Sequence, residues 1–501
     1  MKNISIIGGG ANGVSAFIEF FIQLSTAGLE KEVSIRIIEK DERLGYGLAF
    51  GTPQPGHILN TQAELMGIYA HEPAHFSKWL KKHPDAREIK GDEKTDKAYT
   101  TRRYYGEYIA CQAKKYLKLA KDKQLHVDLV HQNIVDLQHD PSGYTLLAED
   151  GSSYHSDYVI LALGTPKPNN YKEYLAYDHY LDFPWPATRI KEKIKSTDKV
   201  GILGSSLSAI DSIMTLLDEG HVGEIHLFSP DGLLPRVQPI HNKGHERKLL
   251  TLENLHRQKR KNLENPRVKS LIRLFRKEVE RFTGKPLDWK ETGQRTESCL
   301  ALLRWDIDCA QMGGDGLLNV ADSLRYDAST IWSWMDTDQK ILFKKWVGRY
   351  WAINRHPMPL HNAKKLLHLL TTGQLKVHAM KSSDSIQAMD KVFTLETSEE
   401  EIIPVDKLIN ATGSSSDLDQ MDGQLIDNLL RKQYIQPYLV GGAVISERTM
   451  QLIAPEGGDN IYAVGHLANG ILMDVNAVWY NVQTISILVK DVLFRLKNKG
   501  N

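Results

Sequence analysis

Gly8, Gly10 and Gly13 fall in the spacing G-x-G-x-x-G, inside Gly8-Gly9-Gly10-Ala11-Asn12-Gly13. A short apolar run, Ile4-Ser5-Ile6-Ile7, precedes them, and a helical pattern from Val14 to Phe21 follows. This is the chemistry of diphosphate binding. The first glycine makes a tight turn, the second lets backbone approach a pyrophosphate, and the third lets the helix pack close to the strand. Ala11 and Asn12 open a helix whose bare N–H groups face an anion. A second apolar run, Val33 to Ile38, ends on Glu39, whose carboxylate can accept two hydrogen bonds from a ribose diol. In this strand, turn, helix, strand, acid order the glycine pattern is specific for a dinucleotide.

A second start of the same kind follows at Val200-Gly201-Ile202-Leu203, then Gly204-Ser205-Ser206-Leu207-Ser208-Ala209, a helical run to Leu217, and a further strand pattern from Glu224 to Phe228. Ser206 and Ala209 stand where the second and third glycines would be. Alanine is tolerated at the third place, whereas serine at the second puts a side chain in the path of a pyrophosphate. Two small-residue stops, Ala162-Leu163-Gly164 and Asn410-Ala411-Thr412-Gly413, end apolar runs and bring backbone close to where a dinucleotide would lie.

Other chemistry-bearing clusters carry weaker signals. His71-Glu72-Pro73-Ala74-His75 spells the H-E-x-x-H zinc pattern. That chemistry needs both imidazoles one turn apart on a helix. Pro73 reads as the first helical residue, which leaves His71 and Glu72 outside, so no metal site is expected. The cysteines are Cys111, Cys299 and Cys309, none in C-x-x-C spacing, and they read as buried small hydrophobes rather than a redox pair or zinc ribbon. Arg355-His356 lies near Trp346, Tyr350 and Trp351, either a substrate or nicotinamide contact or a packing cluster. Arg257, Lys259, Arg260, Lys261, Arg273, Arg276 and Lys277 read as a solvated helix face.

The elements that must position these residues are those of an α/β protein. The 501 residues exceed one ordinary core, and 63 basic against 62 acidic residues give a net charge of +1, so neither nucleic acid nor a membrane surface is an expected partner. No signal-peptide or membrane-spanning run stands out, and a cytoplasmic location is expected. The organisation read from the chain is two Rossmann-like dinucleotide-binding domains. The first comprises 1–170 and 410–501. The second comprises 195–409, with a helical insertion at about 245–350.

These features, in this order, resemble the FAD/NAD(P)-binding flavoprotein oxidoreductases of glutathione-reductase-like fold, whose relatives include amine N-hydroxylases and flavin-containing monooxygenases. Leu44 to Phe50, His57-Ile58-Leu59-Asn60, Pro73 to Leu80, Arg102 to Tyr108, Gly232-Leu233-Leu234-Pro235-Arg236 and Tyr462-Ala463-Val464-Gly465 carry the resemblance. It implies FAD on the first domain. Gly8, Gly10 and Gly13 would hold the pyrophosphate, Glu39 the ribose, and the backbone of Ile134 or Val135 the adenine. Asn60 and the Gly47 region would approach the flavin ring, and the segment from Gly465 to Asn476 would return to it. His466 stands where relatives often carry an acid. NADH or NADPH would lie on the second domain at Gly204, Ser205 and Ser206. Asp231, in Ser229-Pro230-Asp231-Gly232, would repel a 2′-phosphate and accept from a free diol, so NADH is expected over NADPH.

The resemblance further implies an FAD-dependent oxidoreductase. The expected activity is an NAD(P)H-driven monooxygenase that uses molecular oxygen on a small amine or similar nucleophilic substrate. Asn60 would hydrogen-bond near the flavin, and Arg355 would orient a nicotinamide or an anionic substrate. The alternatives are a flavin reductase or dehydrogenase without oxygen insertion, and a non-catalytic FAD-binding regulatory protein.

Overall fold

The computed structural model describes residues 1–85, 99–288, 295–380 and 382–498. Its chain divides into two compact units, Met1–Pro53 with Thr61–Asn169 and Ser414–Asn501, and Gln54–Asn60 with Asn170–Gly413.

The first unit is built on a five-stranded sheet in the spatial order Ile461–Ala463, Tyr158–Leu161, Lys2–Ile7, Val33–Ile38, His126–Val130. Every pair is parallel. Ile4 to Ile7 and Tyr158 to Leu161 are buried on both faces, as a parallel sheet covered by helices requires. The helix Ala11–Ala27 makes the first crossover and Arg102–Asp122 the second. The terminal helix Val478–Asn498 packs against Ala11–Ala27, burying Val482, Ile485, Val489 and Val492 at spacings of three and four. The two helices run the same way, because Ser486 Oγ donates to Glu19 Oε1 at 3.1 Å while Asn12 and Asn481 both flank Gly465. A small antiparallel sheet, Ile134–Asp140, Gly143–Ala148, Ser153–Ser156, completes the unit.

The second unit repeats this plan. Its parallel sheet has the order Leu375–Ala379, Ile225–Ser229, Val200–Leu203, Lys407–Asn410, Tyr180–Leu181. The helix Leu207–Asp218 makes the first crossover. A three-stranded antiparallel sheet, Ile386–Ala388, Phe393–Glu396, Ile402–Val405, again accompanies it. One edge differs. Tyr180–Leu181 precedes the other strands in sequence, whereas its counterpart Ile461–Ala463 follows them. The helical insertion is the connection from Ile225–Ser229 to the adjacent parallel strand Leu375–Ala379. Its helices continue past 350, through Gly348–Arg355 to Leu360–Thr372. The seven cations Arg257, Lys259, Arg260, Lys261, Arg273, Arg276 and Lys277 are exposed on it. Arg257 pairs with Glu253 and Arg276 with Glu280 one turn away.

Three expectations differ from what the fold shows. The helix after Pro73 begins at His75, two residues later than the proline suggests. His71 stays outside it, and His75 Nδ1 meets the Tyr108 hydroxyl at 2.8 Å. Cys111 is exposed, not buried, because its place on the Arg102–Asp122 helix faces away from the core. Gln54–Asn60, expected within the first domain, packs with the second unit, held there by hydrogen bonds that no local pattern encodes. Among the described residues no helix is long and apolar enough to cross a membrane. Nor is any group of three or more His, Cys, Asp or Glu among them placed to hold a metal ion.

Candidate cofactor sites in the two units

In the first unit Gly8 ends its strand with its N–H donating to Ile38 O at 2.8 Å. Its φ is +103°, and a Cβ there would lie 2.2 Å from the Ala162 carbonyl oxygen, so only glycine fits. Gly13 sits so close beneath the turn that a Cβ would lie 1.8 Å from Gly8 O. That is the helix-on-strand contact the third glycine permits. Gly10 precedes the helix, and Val14 N–H returns to its carbonyl at 2.9 Å. The geometry leaves the N–H groups of Ala11, Asn12 and Gly13 outside the helical ladder, and no acid stands in that first turn.

Glu39 does more than wait for a ribose. Its Oε2 accepts from Gly9 N–H at 2.6 Å and its Oε1 from Asp41 N–H at 3.1 Å. The carboxylate thus fastens the middle of the glycine turn while keeping lone pairs for a diol. Gly45 closes the turn from the other side, its N–H donating to Gly9 O at 2.8 Å. Gly47, at φ +51°, faces Gly10, and a Cβ on Gly47 would come within 3.3 Å of Gly10 Cα. Val135 is the bulged residue between Ile134 and Asp136. Its carbonyl accepts from Asn428 Nδ2 at 2.7 Å. Gly164, at φ +77°, faces open space, and a Cβ on it would meet nothing within 4 Å.

The third wall comes from the end of the chain. Gly465, at φ +73°, leaves room for Asn12, whose Nδ2 would be 2.6 Å from a Cβ there. Asn481, in the first turn of the terminal helix, lies beside them. Its Nδ2 donates to Val475 O at 2.8 Å, and its buried Oδ1 has no hydrogen-bond partner. His466 is buried and turned away from an acid's role. Its Nε2 meets Ser415 O at 3.0 Å and Ser414 Oγ at 3.3 Å. Two helix N-termini, at Ala11 and Val478, therefore meet at the carboxyl edge of the sheet, with backbone N–H groups, an orphaned amide oxygen and an acid at Glu39. These residues fit a dinucleotide. Asn481 carries no signal in the sequence because its role depends on partners far along the chain.

The second unit reproduces the turn. Gly204 has φ +100°, and a Cβ on it would lie 2.6 Å from the Ala411 carbonyl oxygen. Ser206 takes the place of Gly10, with φ −84° and ψ −168° against −73° and −162°. Ser205 takes that of Gly9, and Ser206 lies exposed before the helix. The hydrogen-bond register puts Ser229, not Asp231, opposite Glu39. Ser229 Oγ accepts from Gly232 N–H at 3.1 Å, and Asp231 is two residues further on. Asn410 stiffens the neighbouring stop, its side chain bonding Asn170 and the Thr412 hydroxyl at 3.0 and 2.7 Å.

Asn60 and Arg355 both belong to this unit, each half-buried. Arg355 ends its helix beside His356, whose imidazole burial pushes down to about 4, with the Arg355 and Arg325 cations adding to the effect. Arg236 is the buried centre of the insertion. Its guanidinium meets Asp306 at 2.7 Å, Asp315 at 2.9 Å and Asn354 at 3.2 Å. Burial raises the thiols of Cys299 and Cys309 to about 11, which makes poor nucleophiles of them.

Residues 5–166 match the protein family described as FAD-NAD(P)-binding. The first unit carries an FAD-NAD(P)-binding domain. A curated relative, the uncharacterized protein YdhS of Escherichia coli (strain K12), is 24% identical over 327 residues, 58% of this chain. The match spans 56% of that relative, so it covers a little over half its length. Among solved structures the chain is similar to the ornithine N-hydroxylase of Kutzneria sp. 744 with reduced FAD, NADP+ and L-ornithine, at 11% identity over 99% of this chain and 100% of that one, TM-score 0.58. It is also similar to L-lysine 6-monooxygenase from Pseudomonas syringae, at 13% identity over 98% and 99%, TM-score 0.58. A third is ornithine hydroxylase PvdA from Pseudomonas aeruginosa, at 12% over 98% and 99%, TM-score 0.57. At these identities the likeness establishes the fold, that of flavoenzymes with two dinucleotide-binding domains. The family match lies within the first unit, and the second unit repeats its parallel-sheet plan.

Proposed function

We propose that the protein is an FAD-dependent oxidoreductase, an NAD(P)H-driven monooxygenase acting with molecular oxygen on a small amine or similar nucleophile, in the cytoplasm. The observation that carries the reading is the duplicated turn, with Gly8 and Gly204 each at the carboxyl edge of a parallel sheet in the same hydrogen-bond register. The shared fold of amino-acid N-hydroxylases supports the oxygenase branch.

Bound FAD would supply the redox chemistry, as flavins do. The chain's residues hold and shield it. Gly8, Gly10, Ala11, Asn12 and Gly13 bind the diphosphate, Glu39 the ribose, and Val135 the adenine through backbone. Gly47, Gly164 and Gly465 keep side chains out of its path, and Asn60 donates a hydrogen bond near the ring. Gly204, Ser205 and Ser206 take the nicotinamide dinucleotide, and Arg355 orients it or an anionic substrate. NADH is favoured because neither Ser229, in the place of Glu39, nor Asp231 two residues further on supplies the cation that a 2′-phosphate would need.

The test is anaerobic reduction of the yellow protein by NADH and by NADPH, followed by air. Mass spectrometry of the product after turnover under heavy oxygen gas separates the branches. One labelled oxygen marks an oxygenase, and none marks a reductase. Ser206 and Ser229, at the places of Gly10 and Glu39, favour a second reading, a protein that keeps FAD but takes nicotinamide weakly. Bleaching absent with both nucleotides selects it, and faster bleaching with NADPH overturns the NADH preference.

A further inference from the structure

We propose that Gln54–Asn60 is a strap fixed to the helix behind the second glycine turn, that His57 is the positioning residue that fixes it, and that Asn60 is therefore placed by the second unit. The strap's neighbours in sequence, up to Pro53 and from Thr61, belong to the first unit, while these seven residues belong to the second. Hydrogen bonds and a ring contact hold them. Gln54 Nε2 donates to Glu219 Oε1 at 3.0 Å. Gly56 N–H donates to Asp218 Oδ2 at 2.8 Å, and Gly56 O accepts from Asn362 Nδ2 at 3.2 Å. His57, 1% exposed, directs Nε2–H to Asp211 O at 3.0 Å and the Thr215 hydroxyl at 2.9 Å. Its ring meets Trp185 edge-on, 4.9 Å between centroids.

The anchors fall on one stripe of Leu207–Asp218. Asp211, Thr215 and Asp218 are four and three residues apart, and Glu219 follows at the cap. Gly56 fits against that stripe only as glycine, since a Cβ would lie 2.8 Å from Met214 Cβ. The same helix begins at Ser206, the residue standing for Gly10. One rigid element thus joins the second dinucleotide turn to the strap, and Asn60 sits at the strap's end. A buried imidazole with a bifurcated hydrogen bond is a costly group to leave unpaired, which is why the strap has one preferred seat.

The role of Asn60 near flavin rests on the proposed function, whereas the strap does not, and the experiment separates them. Amide hydrogen exchange is followed in the FAD-loaded full chain. Gly56 and His57 amides are expected to exchange at least ~100-fold slower than free peptide. His57→Ala should speed exchange across Gln54–Asn60 by ~10-fold or more and leave the Leu207–Asp218 helix unchanged, as local opening does. His57→Gln, whose amide can still donate to Asp211 O, should restore most of the protection. The milder Gln54→Ala should loosen only the strap's first residues. In the flavin absorbance, His57→Ala should reproduce the direction of the shift seen in Asn60→Ala. Free-peptide exchange rates in the unaltered protein, or His57→Ala without effect on the strap, would overturn the proposal. A loosened strap alongside an unchanged Asn60→Ala spectrum supports the strap and removes Asn60 from the flavin.

Discussion

Gly8 and Gly204 make the same bond in two sheets. Gly8 N–H donates to Ile38 O at 2.8 Å and Gly204 N–H to Phe228 O at 2.7 Å, with φ of +103° and +100°. Each is followed by a helix, and each lies under the carbonyl of an alanine, Ala162 or Ala411, that ends the neighbouring strand. The two turns are one device used twice, and what differs is what surrounds them. The first has Gly10, Gly13 and Glu39, and the second has Ser206, Ala209 and Ser229.

Gly13→Ala should cost the protein its FAD. The added methyl would lie 1.8 Å from Gly8 O, so helix and turn must part. Overpacking of this kind costs about 1–3 kcal/mol or more, and here it falls on the phosphate turn. The purified variant is expected to be colourless or to bind added FAD at least ~10-fold more weakly, given that 1.4 kcal/mol is tenfold. Ala209→Gly should leave FAD affinity unchanged. Equal yellow colour in Gly13→Ala and the unaltered protein would refute this.

Glu39→Gln keeps the side chain's shape and removes its charge. Gly9 N–H would retain an amide oxygen to bond, but the charge-assisted part of that bond and of any ribose contact would go. A loss of about 1–2 kcal/mol, or roughly tenfold in FAD affinity, is expected, measured by flavin fluorescence quenching on reconstitution. Glu39→Ala should be worse, because it leaves Gly9 N–H without this acceptor.

Arg236 holds two carboxylates, Asp306 and Asp315, in the interior of the insertion. Arg236→Leu would strand Asp315 and leave Asp306 to Arg295 alone, and breaking a buried pair from one side costs about 3–5 kcal/mol. Urea unfolding should show that loss, and Asp315→Asn in the Arg236→Leu background should recover part of it. A variant as stable as the parent would show that the network is not energetically coupled.

Acid should weaken the fold in two windows. Burial lowers the His226 imidazole from 6.5 to about 4, while Glu224 and His378 take up its two nitrogens. A group with a depressed folded pKa contributes stability that is present above the unfolded value and lost as pH falls toward the folded one. The His226 contribution, of order 3 kcal/mol from 1.36 kcal/mol per unit, should therefore fade between pH 6.5 and 4. Glu278 titrates lower. Burial pushes it up, but the N–H groups of Leu249, Leu250 and Lys248 with His245 hold it at about 2. Its contribution should be lost only between 4.5 and 2. Urea midpoints against pH check both, and His226→Gln should shrink the first window, to which the buried His356 also contributes, and leave the second unchanged.

The glycine turns, the strands flanking them and the fold class follow from local sequence, because each turn is built from residues within a few positions of one another. A positive φ at Gly8, a missing Cβ at Gly13 and the apolar run Ile4 to Ile7 are short-range requirements, and they leave a short-range signature. Residues whose partners lie far along the chain could not be assigned that way. Glu39 reads as a ribose acceptor, but only the folded turn puts Gly9 N–H on its carboxylate. Asp231 reads as the second acid, but strand register puts Ser229 in that place. Nothing near His57 in sequence announces Asp211 and Thr215. Nor does anything near Gly465 announce Asn12 and Asn481. Hydrophobic period and turn chemistry are properties of neighbouring residues, whereas register, helix direction and the partner of a buried polar group are fixed only when distant segments pack. The sequence therefore determined which devices this protein carries, and the tertiary structure decided which residues complete them.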